Sequence, residues 1–384
     1  MNTRIVRWTM GILLITLSAC YDDNEEPRVR RTIIAYLAGD NSLNSYMKKN
    51  IADMQKSMKQ KNGRLVVYFD GSNAEPELFE IVPTSKDTAK RVRIATYPEE
   101  NSADPATMRR VLDEVKALYP ADSYGLVLGS HATGWVPKNA SITAGAFADR
   151  LEDDEDERPL TRTFGDDAGA QMDAKAMAEA IPGGFEFIFF DACMMSSIEV
   201  LYELRGKTKY VIATPTEILA AGFPYEAILP DFWGNANDLQ KACEYFYNML
   251  DKNDRNYFAS IALLNIEELD ALYSIARGIF QGKKETVGTF PASAIFHYPL
   301  INIRNDVYFD LRDFAKYAAT DEQLQQFDAQ LAKVVLYQNI TNPFYATPIP
   351  DKSRACGIST YIPLDAWPTW NLEYDKLSWA GIYQ

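Results

Sequence analysis

The sequence predicts an α/β fold in which a mostly parallel sheet is covered by helices on both faces. Short apolar runs typical of buried strands alternate with segments whose apolar residues recur at helical spacing. Hydrophobic residues make up 47% of the 384 residues and aromatic residues 12%, which is enough for a large packed core. Strands separated by helices in this rhythm are characteristic of parallel sheets.

The pattern begins with a strand over Arg31–Ala38 and an amphipathic helix over Leu43–Met58. The methionine stripe of that helix indicates core packing rather than a cofactor site. A later helix opens at Asp104-Pro105 and extends through Tyr119, with proline at the favoured first helical position. The other elements before residue 234 are strands at 65–69, 124–128, 185–190 and 210–213, helices at 173–181 and 196–204, and a hairpin or edge pair of 77–82 with 91–97.

Beyond residue 234 the sequence becomes more helical. We therefore expect a core over residues 31–234 and a helical elaboration over residues 235–384 that packs on it. The predicted elements of this part are helices at 237–250, 266–280, 306–319 and 322–337 and strands at 258–264 and 356–363.

The N-terminus has the features of an export signal. Arg4 and Arg7 precede an apolar run over Trp8–Thr16 that is too short to span a bilayer, and small residues then lead to Cys20. This arrangement resembles a bacterial lipobox, which predicts cleavage before Cys20 and lipidation of that residue, with a plain secretory signal as the alternative. Residues 1–20 are thus a predicted lipoprotein signal peptide.

Residues 21–30 are predicted to form a disordered acidic tether. An acidic run directly after the lipidated cysteine resembles the surface-export signal of Bacteroidota lipoproteins. The expected location is therefore the cell envelope, at the outer membrane, with surface-exposed and periplasm-facing anchors both open.

The charge of the chain limits its partners. It carries 39 basic and 53 acidic residues, a formal net charge of −14 at pH 7, and no basic patch emerges. This composition argues against nucleic acid and against an anionic membrane surface as partners.

The cysteines point to a free thiol. Without Cys20 the exported chain retains Cys193, Cys243 and Cys356, so at least one of them is unpaired or bonds another chain. The patterns around Cys243 and Cys356 are typical of buried structural cysteines. Cys193 follows the apolar run at 185–190 and precedes Ser196-Ser197, which can cap a helix whose N-terminus would lower the pKa of the thiol.

The chain has only two histidines, and one of them matches this cysteine in context. His131 follows one predicted strand as Cys193 follows another. The carboxyl ends of neighbouring parallel strands lie at one edge of a sheet, so the imidazole and the thiol would meet there. An imidazole that takes the proton of a thiol creates a nucleophile. His297 has no such context, and we interpret it as structural.

Several motifs carry a family resemblance. Together they resemble the clostripain-like cysteine peptidases, in the same order, over residues 31–363. The resemblance implies a caspase-like α/β core, peptide-bond hydrolysis by a His131–Cys193 dyad, a peptide or protein substrate, and no required cofactor. The motifs are Tyr36-Leu37-Ala38-Gly39-Asp40-Asn41-Ser42-Leu43, Ser130-His131-Ala132-Thr133-Gly134-Trp135, Phe164-Gly165-Asp166-Asp167, Phe190-Asp191-Ala192-Cys193-Met194-Met195, and the stretches 213–225 and 356–363.

The resemblance also assigns the surroundings of the dyad. The backbone amides of Cys193 and Ala132 would stabilise the oxyanion, although the family usually has glycine where Ala132 stands. Trp135 would wall the pocket, and Asp191 matches one of two pocket acids or, alternatively, orients the loop. Ala221 stands where the second acid is expected, so a preference for Arg or Lys before the scissile bond should be weakened or lost.

Other interpretations remain open. The run Glu152–Glu157 indicates a solvated tract, with a calcium site as the alternative, and no metal ligand is assigned. The departures at Ala132 and Ala221 also fit a catalytically weak or inactive peptide-binding lipoprotein. A thiol amidase acting on cell-wall peptides is the third candidate. We expect a monomer that reaches the membrane through its lipid anchor.

Overall fold

The protein is organised around a nine-stranded sheet in a computed structural model, which describes residues 29–58, 63–85, 88–136, 172–252, 254, 256–301 and 307–384. The strands are β1 (Val29–Gly39), β2 (Gly63–Gly71), β3 (Glu77–Pro83), β4 (Ala89–Thr96), β5 (Ala121–Gly129), β6 (Phe185–Asp191), β7 (Thr208–Ala213), β8 (Ser260–Asn265), β9 (Phe309–Asp310), β10 (Val335–Ile340) and β11 (Ser359–Thr360). The helices are α1 (Asn44–Ser57), α2 (Pro105–Leu118), α3 (Ala174–Ala180), α4 (Ile198–Glu203), α5 (Tyr225–Ile228), α6 (Ala236–Leu250), α7 (Leu269–Phe280), α8 (Lys284–Gly288), α9 (Leu311–Ala318), α10 (Asp321–Val334) and α11 (Pro368–Tyr374).

The sheet confirms the predicted α/β class. Its strand order is β10-β8-β7-β6-β5-β1-β2-β3-β4, and the five central strands, β7 to β2 in that order, run parallel. Antiparallel strands close both sides: β3 and β4 form the predicted hairpin beside β2, and β8 and β10 lie beside β7. Parallel strands place their carboxyl ends at a common edge, which is where α/β proteins build their sites.

Helices cover both faces of the sheet. Contacts between elements group α1, α5 and α6 on one side, and α2, α3, α4, α7 and α10 on the other. The alternation of side chains along β1 agrees with this, because Tyr36 lies with Met108 of α2 around one pocket, whereas Leu37 and Met47 of α1 lie together near Gly129. Strands buried on both faces read as continuous apolar runs, as predicted for β5 and β6.

Local sequence signals fix the ends of several helices. The Asp104 side chain accepts a hydrogen bond from the Ala106 amide at 2.7 Å, and Pro105 begins α2 as predicted. Asp173 caps α3 in the same way through the Ala176 amide. The methionine stripe of α1 is buried, which confirms its assignment to the core.

Three predicted elements beyond residue 305 are wrong in part. The helix predicted over 322–337 ends at Val334, because Val335–Ile340 instead pairs with β8 as the edge strand β10. The helix predicted over 306–319 begins only at Leu311, after the short strand β9. There Asp310 is the N-cap, and its carboxylate accepts from the Asp313 amide at 2.9 Å. The strand predicted over 356–363 is reduced to Ser359–Thr360, which pairs with β9.

The sheet runs across the predicted boundary after residue 234. Strands β8 and β10 extend the main sheet, and β9 with β11 form a separate two-stranded sheet. The division into 31–234 and 235–384 therefore stays a prediction. Cys20, residues 21–28 of the tether, the acidic run 152–157 and the motif 164–167 lie outside the described residues, whereas the tether prediction is wrong for residues 29 and 30, which begin β1. Within the described ranges, no helix has the length and apolar character needed to cross a membrane.

Candidate active site

The register of β5 and β6 brings the predicted histidine and cysteine to one edge of the sheet. The last paired residues of the two parallel strands are Gly129 and Asp191. His131 and Cys193 each follow two residues later, so both begin loops at the same level of the sheet. The juxtaposition follows from β5 and β6 being direct neighbours, which the sequence pattern alone does not specify.

The loops that carry His131 and Cys193 are packed against each other. Gly134, three residues after the histidine, has φ +62°, and a Cβ atom added to it would lie 2.6 Å from the carbonyl oxygen of Met194. Met194 itself has φ +55°, which is rare outside glycine. Backbone strain of this kind persists where the surrounding structure holds it, and it is frequent at active sites.

The sulfur of Cys193 is buried and faces the backbone that follows β7. The Ile218 amide donates to its Sγ at 3.3 Å, and the Met194 amide donates to the Thr216 carbonyl at 2.9 Å. Ser197 occupies the N-cap position of α4, which begins at Ile198, but its side chain makes no cap hydrogen bond. One donor to this sulfur is therefore the amide of a loop residue.

The imidazole of His131 is contacted by the loop between β1 and α1. His131 is 8% exposed, and its Nε2 lies 2.9 Å from the Oγ of Ser42, which is itself exposed. Asn41 shapes this loop, since its side chain accepts from the Leu43 amide at 2.9 Å and donates to the Ala38 carbonyl at 3.1 Å. Ser42 lies within one of the sequence motifs, but no local pattern in the sequence indicates its contact with His131.

Two of the three predicted pocket residues, Asp191 and Ala221, lie on the α1 and α5 side of the site. Asp191 is 1% exposed, and one carboxylate oxygen accepts from the Tyr225 hydroxyl at 2.9 Å. Ala221 is exposed, and its carbonyl accepts from the Asn50 side chain at 3.0 Å. Tyr225 and Asn50, whose contacts no local sequence pattern indicates, thus connect both positions to neighbouring helices.

The remaining predicted residues are internal. Ala132 is fully buried. Trp135 is buried in an aromatic cluster built by the C-terminal part, with its ring centroid 4.5 Å from that of Tyr361 and 5.8 Å from that of Tyr374. Its predicted role as a pocket wall stays a prediction.

A buried carboxyl group lies behind the site on α4. Glu199 is fully buried, and burial raises its pKa to about 7 although one oxygen accepts from the Tyr361 amide at 2.8 Å and from the Thr360 hydroxyl at 3.0 Å. Its other oxygen has no hydrogen-bond partner. The hydroxyls of Tyr374 and Tyr383 are buried beside each other, and burial, with a contribution from the charge of Glu199, raises the pKa of both.

The two other described cysteines and the second histidine lie outside the candidate site. Cys243 on α6 and Cys356 are buried, and burial raises the pKa of both thiols. His297 forms a β-bridge with Phe309, consistent with a structural role. In the part of the chain that the structure describes, no three His, Cys, Asp or Glu side chains cluster in a way that could hold a metal ion.

Three comparisons bear on this arrangement. The model of the clostripain family matches residues 35–346 of the chain. The structure of an inactive zymogen C11 protease from Parabacteroides distasonis superposes with a TM-score of 0.78 at 31% identity, covering 93% of this chain and 99% of the other. A secreted C11 cysteine protease from Bacteroides thetaiotaomicron, solved with an irreversible peptide inhibitor, gives a TM-score of 0.74 at 26% identity and covers 92% and 98%.

Similarity also extends to clostripain of Hathewaya histolytica. The two sequences are 21% identical over 231 residues, which represent 53% of this chain. The match spans 42% of the length of that relative.

Proposed function

Because the chain belongs to the clostripain family of cysteine peptidases, we propose that it is an endopeptidase whose nucleophile is Cys193 and whose general base is His131. The observation that carries the proposal is the register of β5 and β6, which starts both loops from the paired residues Gly129 and Asp191. The packing of Gly134 on the Met194 carbonyl supports it, because that contact holds the two loops together.

The proposed reaction uses the thiol and the imidazole in turn. His131 takes the proton of Cys193, and the thiolate attacks the carbonyl carbon, forming a C–S bond and an oxyanion. The amides of Cys193 and Ala132 are the proposed oxyanion donors. The imidazolium then protonates the leaving nitrogen as the C–N bond breaks. Water, deprotonated by His131, cleaves the thioester and restores the thiol. This chemistry requires no cofactor.

The test removes the proposed nucleophile and the proposed base one at a time and compares the result with the removal of a cysteine outside the site. Cys193→Ala and His131→Ala are expected to lower peptide cleavage by at least about a thousandfold. Cys243→Ala is the control, since it also removes a buried sulfur but lies on α6 away from the site, and it should retain activity. Equal activity of Cys193→Ala and Cys243→Ala would exclude the proposed nucleophile. Absence of cleavage in all proteins, without labelling of Cys193 by an electrophile, would favour the peptide-binding function.

We propose that the substrate pocket has a reduced preference for Arg or Lys before the scissile bond. Asp191 is one acid of the pocket expected from the family resemblance, and it is bonded to the Tyr225 hydroxyl. The second position is Ala221, which carries no charge to neutralise a buried guanidinium. A peptide library that varies this residue measures the preference, and cleavage after Arg at least as fast as after apolar residues would contradict the proposal. A thiol amidase would instead cleave cell-wall peptides and would cleave none of the peptides in the library.

We also propose that the mature chain is attached to the cell envelope by lipid on Cys20. The support is the basic, apolar and small-residue pattern that ends at this cysteine. Expression of the full chain and of Cys20→Ser, followed by detergent phase partitioning and mass spectrometry of the N-terminal peptide, tests it. Lipidation should shift the wild type alone into the detergent phase, and protease treatment of intact cells distinguishes a surface-exposed anchor from a periplasm-facing one.

A further inference from the structure

A tyrosine of the C-terminal part is hydrogen-bonded to the loop that carries His131. The Tyr308 hydroxyl donates to the carbonyl oxygen of Thr133 at 2.7 Å, and Tyr308 is 1% exposed. The same carbonyl accepts a longer bond from the Val136 amide at 3.3 Å, which closes a turn within the loop. The bond from Tyr308 thus ties this loop to a part of the chain 175 residues away, in addition to the packing of Trp135 on Tyr361 and Tyr374.

The backbone beside Tyr308 is tied to the loop that carries Cys193. Tyr308 directly precedes β9, whose Phe309 pairs with Thr360 of β11. The Ser359 amide of β11 donates to the Ser196 carbonyl at 2.8 Å, three residues after Cys193, and Ser359 also bridges Ser197. One short segment thus contacts the histidine loop through a side chain and the cysteine loop through a strand pair.

The surroundings of the Tyr308 hydroxyl keep it protonated, so that it remains a hydrogen-bond donor. Burial, followed by the nearby charges of Glu217 and Cys193, raises the pKa of Tyr308 well above its ordinary value. The hydroxyl therefore stays protonated at every pH at which a peptidase of this kind works. Without this donor the carbonyl of the half-buried Thr133 would keep the longer bond from the Val136 amide and lose the shorter one, which would weaken the hold on its loop.

We propose that Tyr308 is a positioning residue that sets the distance between His131 and Cys193 by holding the Thr133 carbonyl. The inference rests on the proposed dyad and adds to it a residue outside the two strands that build the site. Tyr308 acts on the dyad by holding the histidine loop in place, and it does not contact the substrate. A displacement of the imidazole by an ångström or less is enough to slow proton transfer substantially.

The test compares two Tyr→Phe variants that lose the same kind of bond. Tyr308→Phe removes the bond to Thr133, and Tyr36→Phe removes a buried 2.7 Å bond from a tyrosine hydroxyl to the Ser102 carbonyl. We expect Tyr308→Phe to lower kcat by about 10- to 100-fold with KM nearly unchanged, and Tyr36→Phe to leave both close to wild type. Urea unfolding should show similar stability losses for the two variants.

Alkylation of Cys193 by iodoacetamide, followed by peptide mass spectrometry, gives a readout independent of substrate. The rate near pH 6 depends on the imidazole, so we expect it to fall in Tyr308→Phe and in His131→Ala but not in Tyr36→Phe. Equal rates in the two Tyr→Phe variants, with wild-type kcat in both, would overturn the positioning role and leave the dyad intact. Wild-type rates in His131→Ala as well would overturn the dyad itself, and the positioning role with it.

Discussion

Gly134 lies so close to Met194 that the histidine and cysteine loops leave no room for a side chain between them. A Cβ atom at position 134 would be 2.6 Å from the Met194 carbonyl oxygen. This oxygen belongs to the backbone, so it cannot relieve the clash by a change of rotamer. The left-handed φ of +62° at Gly134 adds a second reason for glycine. Two independent constraints therefore fix this residue next to the candidate dyad.

We predict that Gly134→Ala lowers kcat by about 100-fold, because relief of the clash must separate His131 from Cys193. Gly206→Ala is the matched control, since Gly206 has φ +71° but a Cβ atom there would meet nothing within 4 Å. Both variants should lose roughly 1 kcal/mol of stability from the φ penalty, and Gly134→Ala more. Activity of Gly134→Ala equal to that of Gly206→Ala would show that the loop contact does not set the geometry of the site.

The sequence located the ends of the strands that carry His131 and Cys193 better than the elements that surround them. Cys193 and His131 follow long apolar strands, and the register of β5 and β6 is imposed by their buried side chains. The C-terminal elements were harder because their conformations depend on distant partners. Val335–Ile340 is a strand because β8 lies beside it, and Asp310 caps α9 because Ser359–Thr360 holds β9 extended. The roles of Tyr308 and Glu199 depend on contacts across more than 150 residues, which no local pattern encodes.

Ser42 should contribute modestly to the function of His131. Its Oγ lies 2.9 Å from Nε2, but Ser42 is exposed, so water can replace part of the interaction. We expect Ser42→Ala to reduce kcat/KM by about three- to tenfold and Ser42→Thr, which keeps the hydroxyl, to restore most of it. Ser45→Ala, at an exposed serine three residues away on α1, is the control for a change of hydroxyl content. A Ser42→Ala enzyme with wild-type kcat/KM from pH 5 to 8 would show that the bond does not assist the imidazole.

Replacing Ala221 by an acid should create a preference for basic residues. Its carbonyl is held by Asn50 and its side chain is exposed, so Ala221→Asp is expected to fold normally. A carboxylate about 4 Å from a bound guanidinium contributes roughly 1 to 4 kcal/mol, so cleavage after Arg relative to Leu should rise at least about tenfold. Ala221→Asn has the same shape without the charge, and it should leave the ratio unchanged. An equal rise in both variants would assign the effect to polarity and not to charge.

Glu199 should make the protein less stable as the pH rises. Burial raises its pKa from an ordinary 4.5 to about 7, so between these values the unfolded chain ionises while the folded protein keeps the carboxyl neutral. The contribution of Glu199 to stability is thus fully present below pH 4.5 and is lost as the pH rises to about 7. The difference corresponds to at most roughly 3 kcal/mol.

Glu199→Gln removes this titration and keeps an oxygen that can accept from Tyr361 and Thr360. Urea unfolding at pH 5 and pH 8 should show that the wild type loses more stability than Glu199→Gln over this interval. Asp310, whose pKa burial raises to about 6, titrates in both proteins and cancels in the comparison. The tyrosines that surround Glu199 stay protonated over the interval, since the pKa of Tyr361, Tyr374 and Tyr383 is raised. Parallel pH profiles of the two proteins would mean that Glu199 is already ionised in the fold and that a partner stabilises its charge.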